Sequence, residues 1–186
     1  MEVKKGNVKK LCSFYVSQWH LTTMLLPYIS NQIEKNVKIA TVLENNINEN
    51  VKILVNKLKI KNKDKILSIN WNKRKIIKYT DVSKIIKDNE EKDLVLGDDK
   101  KRELLIIVQG SREYIEEVNK YITKYLEINK NKTMETNITI INCYEIVEFN
   151  GSIVEILDQH DKILNTSGER EINDIFSDYV RKERIG

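Results

Sequence analysis

The sequence predicts an α/β domain: a mostly parallel central sheet with helices packed on both faces. Short apolar runs alternate with amphipathic stretches, opening in the order strand, helix, strand, helix, strand. Those runs are near-continuous in Val, Ile and Leu, as expected of parallel strands buried on both faces. The length of 186 residues suits one domain spanning 1–186, with enough core to fold without a disulfide or metal.

The first strand is read in "LCSFYV", ending at Val16. A helix follows in "LTTMLLPYISNQIEKN", where Leu21, Met24, Leu25, Tyr28, Ile29 and Ile33 share one face. Pro27 removes one backbone donor inside that helix, so a kink is expected there. "VKIATVL" reads as a buried strand and "NENVKILVNKLKI" as a helix with Val51, Leu54, Val55 and Leu58 on one side. "DKILSINW" completes the repeat as a third strand. The charged stretch that follows is expected to be an exposed excursion with a short helix or two, broken at Gly97. "ELLIIVQG" is the clearest strand, and it runs into a helix with Ser111 as N-cap and acidic residues in the first turn. "NITIINCYEI" is a fifth strand and "NGSIVEILDQH" a short helix. One more turn or strand and a helix in "EREINDIFSDYVRKE" finish the chain.

Charge narrows the partners. With 32 basic against 28 acidic residues interspersed along the chain, no nucleic-acid stripe forms, and nucleic acid is not the expected partner. No apolar run is long enough to span a bilayer, and the basic start is not followed by a signal region, so the cytoplasm is the expected location. Cys12 and Cys143 lie in apolar surroundings and read as buried reduced thiols, with a redox pair as the alternative. His20, His160, Glu145 and the cysteines supply too few ligands for a metal, so neither metal nor cofactor is expected.

Ligands of such sheets bind at the carboxyl ends of the strands, near the topological switch point, which directs attention to the corners after Val16, Leu43, Asn70, Val108 and Cys143. The first corner, "VSQWHLTT", has no glycine, and no G-x-x-x-x-G-K-[ST] occurs in the chain, so nothing provides a triphosphate cradle. Ser17 is placed to cap the helix, and Trp19 and His20 either pack at a sheet edge or wall a ligand site beside Tyr15 and Tyr144. At the fourth corner Gly110, Ser111 and Arg112 make either a tight capped turn or a small anion site. At the fifth, Tyr144 and Glu145 end the strand and His160 follows the next helix; Glu145 with His160 is the candidate acid/base pair of a hydrolase or transferase. "NWNKRKIIKY" is a solvated loop or, with Lys73, Arg74 and Lys75, a nucleic-acid accessory surface.

The opening segment is similar to that of the MEDS family of bacterial and archaeal sensory domains, which begins with a His-x-Cys-x-x-Tyr strand. Cys12, Tyr15, Pro27 and Glu44 match the family pattern, with Lys10 where histidine is usual. Towards the end, Tyr144, Glu145, Phe149 and His160 match in order, with Asn142 in place of cysteine and Glu in place of Asp. The resemblance implies a RecA- and KaiC-like core that has lost its phosphate loop, with the first strand central and the last clear strand beside it. The function it implies is a sensor or adaptor in signalling. The expectation is therefore a non-enzymatic regulatory module that binds a small organic ligand or a signalling protein through Tyr15, Ser17, Trp19, His20, Tyr144, Glu145 and His160. It would pass its signal by surface, through a homodimer or a partner complex.

Overall fold

The computed structural model describes residues 8–75, 78–91, 102–130, 136–146 and 153–181. Gly97, Phe149 and the first seven residues lie outside them. The described strands are β1 (Val8–Tyr15), β2 (Lys38–Leu43), β3 (Arg102–Gly110), β4 (Thr136–Glu145), β5 (Lys162–Asn165) and β6 (Gly168–Arg170). They form one six-stranded sheet in the order β2-β3-β4-β1-β5-β6, parallel except where β6 turns back on β5. β1 lies inside the sheet with β4 beside it along its whole length, as the RecA-like resemblance implies.

Helices α1 (Gln18–Glu34), α2 (Asn48–Lys57) and α3 (Lys63–Leu67) cover one face. The opposite face carries α4 (Tyr79–Glu91), α5 (Arg112–Ile128), α6 (Ile153–Asp158) and α7 (Ile172–Ile175). The two-residue period of the strands divides the core between them. Along β3, Leu105 and Ile107 join the α1 layer while Leu104, Ile106 and Val108 join the α5 layer. This double burial explains why β3 is the clearest apolar run in the sequence.

α1 runs unbroken through Pro27, whose ring is on the exposed side, where water can serve the carbonyl that proline leaves without a donor. Ser111 caps α5 as expected, its Oγ accepting from Tyr114 N at 3.2 Å.

Two expected elements are absent from the described residues. "DKILSINW" is not a strand: its first part is α3, and the remainder runs along the outer edge of β2. There Asn70 O accepts from the Thr41 hydroxyl, Arg74 N donates to Leu43 O at 2.7 Å, and Arg74 Nε donates to Thr41 O at 3.1 Å. Irregular chain thus covers a strand edge that would otherwise be open to foreign pairing. The apolar residues that suggested a strand face the α1 layer instead, with Ile66 and Trp71 buried there. The helix expected from "EREINDIFSDYVRKE" shrinks to α7, because its first residues pair as β6 and Lys162 and Glu171 meet at 3.2 Å across the hairpin. Lys182 and Glu183 lie outside the described residues.

Trp71 pins the edge-covering segment: its indole Nε1 donates to Ile66 O at 2.8 Å, and its own carbonyl accepts from Ile47 N at 3.1 Å. Trp71→Ala should lower unfolding stability by the ~3–5 kcal/mol of a large core truncation, measured as a shift of the urea midpoint.

Candidate functional site

A topological switch point lies wherever the connections leaving two neighbouring strands go to opposite faces of the sheet. β1 leads into α1 on one face, whereas its neighbour β4 leads towards α6 on the other. β2 and β3 diverge in the same way, into α2 and α5. The two points differ in what fills them.

The β2/β3 point is closed by the protein's own side chains. Glu44, just past β2, puts its Oε1 2.9 Å from Ser111 N at the start of α5. A carboxylate therefore already occupies the position at which the Gly110–Ser111–Arg112 corner would take an anion. Gln109, fully buried at the end of β3, donates from Nε2 to the Tyr15 hydroxyl at 2.9 Å and accepts from Asn45 N at 3.1 Å. Tyr114 donates to Arg74 O at 3.0 Å; burial foremost, and then the Glu44 charge, push its phenol pKa upward. Arg112 points elsewhere, into ion pairs with Glu116 at 2.9 Å and Glu155 at 2.7 Å that tie α5 to α6.

The β1/β4 point is different. Ser17 caps α1 by accepting from His20 N at 3.1 Å, and His20 Nδ1 accepts from Val16 N at 3.1 Å, so the Ser17 hydroxyl and one ring nitrogen of His20 are taken up within the corner. Beside the exposed Ser17 and Gln18, three apolar residues are also left outside: Val16 is 58% exposed, Trp19 47%, and Ile146 43%. Since Tyr15 pairs with Glu145, Val16 and Ile146 follow each other off adjacent strands.

The sequence-selected residues therefore separate. Ser17, Trp19 and His20 form the surface corner. Tyr15 and Tyr144 are core residues on opposite faces of the sheet and do not jointly line a site. Tyr144 packs with Phe14 at 5.9 Å between ring centroids, and burial raises its pKa. Glu145 shares the face of its pairing partner Tyr15, whereas His160 stands edge-on to Tyr144 on the other, so the sheet separates the proposed acid from its base. His160 is buried, its Nδ1 2.6 Å from Ile156 O and its Nε2 2.9 Å from Asn142 Nδ2.

Cys12 and Cys143 are both buried and free, on neighbouring strands but opposite faces, which is incompatible with a disulfide between them. Burial pushes the Cys12 thiol up to about 12 and Cys143 in the same direction. Neither is a ready nucleophile. Among the described residues no group of three or more His, Cys, Asp or Glu is placed to hold a metal, and no helix is long and apolar enough to cross a membrane.

Sequence reading missed the structural roles of Glu44, Gln109 and Asn142. The available signal was a polar side chain interrupting or ending an otherwise apolar strand, since such a group must find a partner inside. Gly110 is required by close approach: a Cβ there would meet Glu44 Cβ at 2.7 Å and Tyr114 Cδ1 at 2.8 Å. Gly110→Ala should therefore displace Glu44 from α5 and destabilise the protein by about 1–3 kcal/mol through overpacking, seen as a lower denaturant midpoint.

No family model matches the chain, and no curated protein matches it. Among solved structures it is similar to an uncharacterized protein from Pyrococcus horikoshii, crystallised in complex with an unknown peptide. The two share 13% identity over 87% of this chain and 78% of that one, with a TM-score of 0.52. At that identity the likeness concerns the fold alone, a mixed α/β architecture with a mostly parallel central sheet.

Proposed function

We propose that the protein is a non-enzymatic sensory or regulatory module that binds an apolar segment of a partner protein at the β1/β4 strand ends. The observation that carries this reading is the chemistry of the corner. The Ser17 hydroxyl and His20 Nδ1 each take a backbone N–H of the corner, and Val16, Trp19 and Ile146 are exposed at its strand ends and helix start. Exposed apolar side chains gathered at a switch point favour a hydrophobic partner over a phosphate or a charged metabolite. An aromatic residue among them suits the anchor role that tryptophan plays in interfaces.

Two further considerations agree. The β2/β3 point, where an anionic ligand would otherwise be sought, holds Glu44. The fold-level neighbour was crystallised with a peptide, which is compatible with a peptide-binding use of this architecture. The resemblance of Cys12, Tyr15, Pro27, Tyr144 and His160 to the MEDS pattern supports placing the module in signalling.

The test is a display screen of random peptides against the full chain, with intrinsic fluorescence as the readout. A peptide seated on the corner should shift Trp19 emission to the blue, and at a hundred times its dissociation constant should add about 2.7 kcal/mol to stability. Trp19→Ala should abolish binding while leaving the melting temperature within about a degree of wild type, the ordinary outcome at an exposed site. Stabilisation by ATP with magnesium, or peptide binding unaffected by Trp19→Ala, would overturn the proposal.

A further inference from the structure

His160 is buried where β4, α6 and the C-terminal stretch meet, and its hydrogen-bonding atoms are committed. The backbone N donates to Leu157 O at 3.2 Å, and the backbone O accepts from the Arg181 guanidinium. The ring is one end of a polar chain. Asn142 on β4 and Asn119 on α5 form a reciprocal amide pair, Asn119 Nδ2 donating to Asn142 Oδ1 at 2.7 Å and Asn142 Nδ2 donating to Asn119 Oδ1 at 3.1 Å. Asn119 Nδ2 also donates to Ile115 O at 2.8 Å.

Both ends of this chain are backbone carbonyls, Ile115 O and Ile156 O, which can only accept. The first turns Asn119 so that its amide nitrogen faces Ile115. That orientation turns Asn142 so that its own nitrogen faces His160. The second carbonyl takes the proton on Nδ1. Nε2 must therefore carry no hydrogen, and a second ring proton would confront an N–H donor across 2.9 Å.

The charged surroundings set the balance further. Burial is the main force against a proton on the ring, the bond to Ile156 O favours one, and among the charges Lys10 on β1 and Arg181 oppose it while Asp161 favours it. Tyr144 stands edge-on at 6.1 Å between ring centroids. Asp158 on α6 accepts from the Tyr179 hydroxyl at 2.6 Å, so Tyr179 and Arg181 together hold the C-terminal stretch against α6 and His160. Beneath this layer lies Cys12, clustered with Ile156, Leu157, Ile163 and Ile172, and the Arg181 charge acts on its thiol. Cys143 is on the other face, under the α1 layer.

We propose that His160 is an acid-sensitive clasp: a second ring proton breaks its bond to Asn142 and frees α6 with the stretch Ile172–Arg181, uncovering the Cys12 thiol while the face that holds Cys143 stays closed. The sign follows from which form takes the proton. The closed form excludes it and the open form binds it near the ordinary histidine value of 6.5, so opening grows as pH falls from there towards about 4. The gain is roughly tenfold per pH unit across that window, with none above it.

The full chain is labelled with a pyridyl disulfide, which reacts at acid pH, from about pH 7 down to about pH 4.5. Each cysteine is quantified by mass spectrometry and normalised to a free model thiol. Cys12 labelling should rise roughly tenfold per pH unit while Cys143 stays protected. His160→Gln removes the titrating ring and should flatten the acid response of Cys12. Arg181→Ala keeps the ring but loses one tie, and should raise Cys12 labelling at every pH with the acid slope intact. Parallel labelling of both cysteines, an unchanged slope in His160→Gln, or a Cys12 that stays protected throughout would overturn the clasp. If His160→Gln does not fold, the wild-type ratio of Cys12 to Cys143 labelling decides alone.

Discussion

The parallel pairing of β1 with β4, from Val8 against Ile138 to Tyr15 against Glu145, is the constraint on which the rest of the molecule depends. It joins segments more than a hundred residues apart in the chain and puts β1 inside the sheet, buried on both faces. Once that register is set, the two-residue period decides everything along it. Cys12 goes to the α5 layer and Leu11 to the α1 layer, Tyr144 joins Phe14, and Glu145 joins Tyr15. A slip of one residue would turn each of them to the opposite layer.

The same pairing creates the surface on which the functional reading rests. Connections leave β1 and β4 towards opposite faces, so among the described residues no helix crosses between the ends of these strands, and Val16 and Ile146, which follow them, are exposed. At β2 and β3 the same divergence occurs, but Glu44 and Gln109 reach across and fill it. The contrast between the two switch points therefore comes from single side chains and not from the architecture. The corner without glycine carries its bulky indole at the surface, where Trp19 is 47% exposed.

Several polar groups inside the two layers are handled by closed sets of partners, while Asn137 Oδ1 is buried with no hydrogen-bond partner among the described residues. Ser13 donates to Leu164 O at 3.0 Å, Gln109 spans Tyr15 and Asn45, and the Asn119–Asn142–His160 chain ends on carbonyls. Such networks specify one arrangement, because a half-satisfied amide in a low-dielectric interior is costly. Outside the core, Lys9 holds Glu169 at 2.6 Å and Tyr28 donates to the same carboxylate at 2.8 Å, which anchors the edge hairpin to β1 and α1. Burial alone would raise the Glu169 pKa, but these two donors and the charges of Lys9 and Lys162 outweigh it and the pKa falls.

By itself the sequence determined the fold class, the place of most helices and long strands, and the caps at Ser17 and Ser111. Periodicity and capping are local, and they are written in residues a few positions apart. It also singled out Trp19 and His20 in the corner without glycine, as packing at a sheet edge or as the wall of a ligand site. Tertiary structure alone decided which apolar runs become strands: "DKILSINW" had the composition of one, but the edge of β2 and the α1 layer drew it into a helix and a covering strap. It also decided that Tyr15 and Tyr144 are core, that Glu145 and His160 stand on opposite faces, and that Glu44 occupies the start of α5. These outcomes depend on register and on which face a side chain takes. Both are set by contacts between distant segments, to which local propensity is blind.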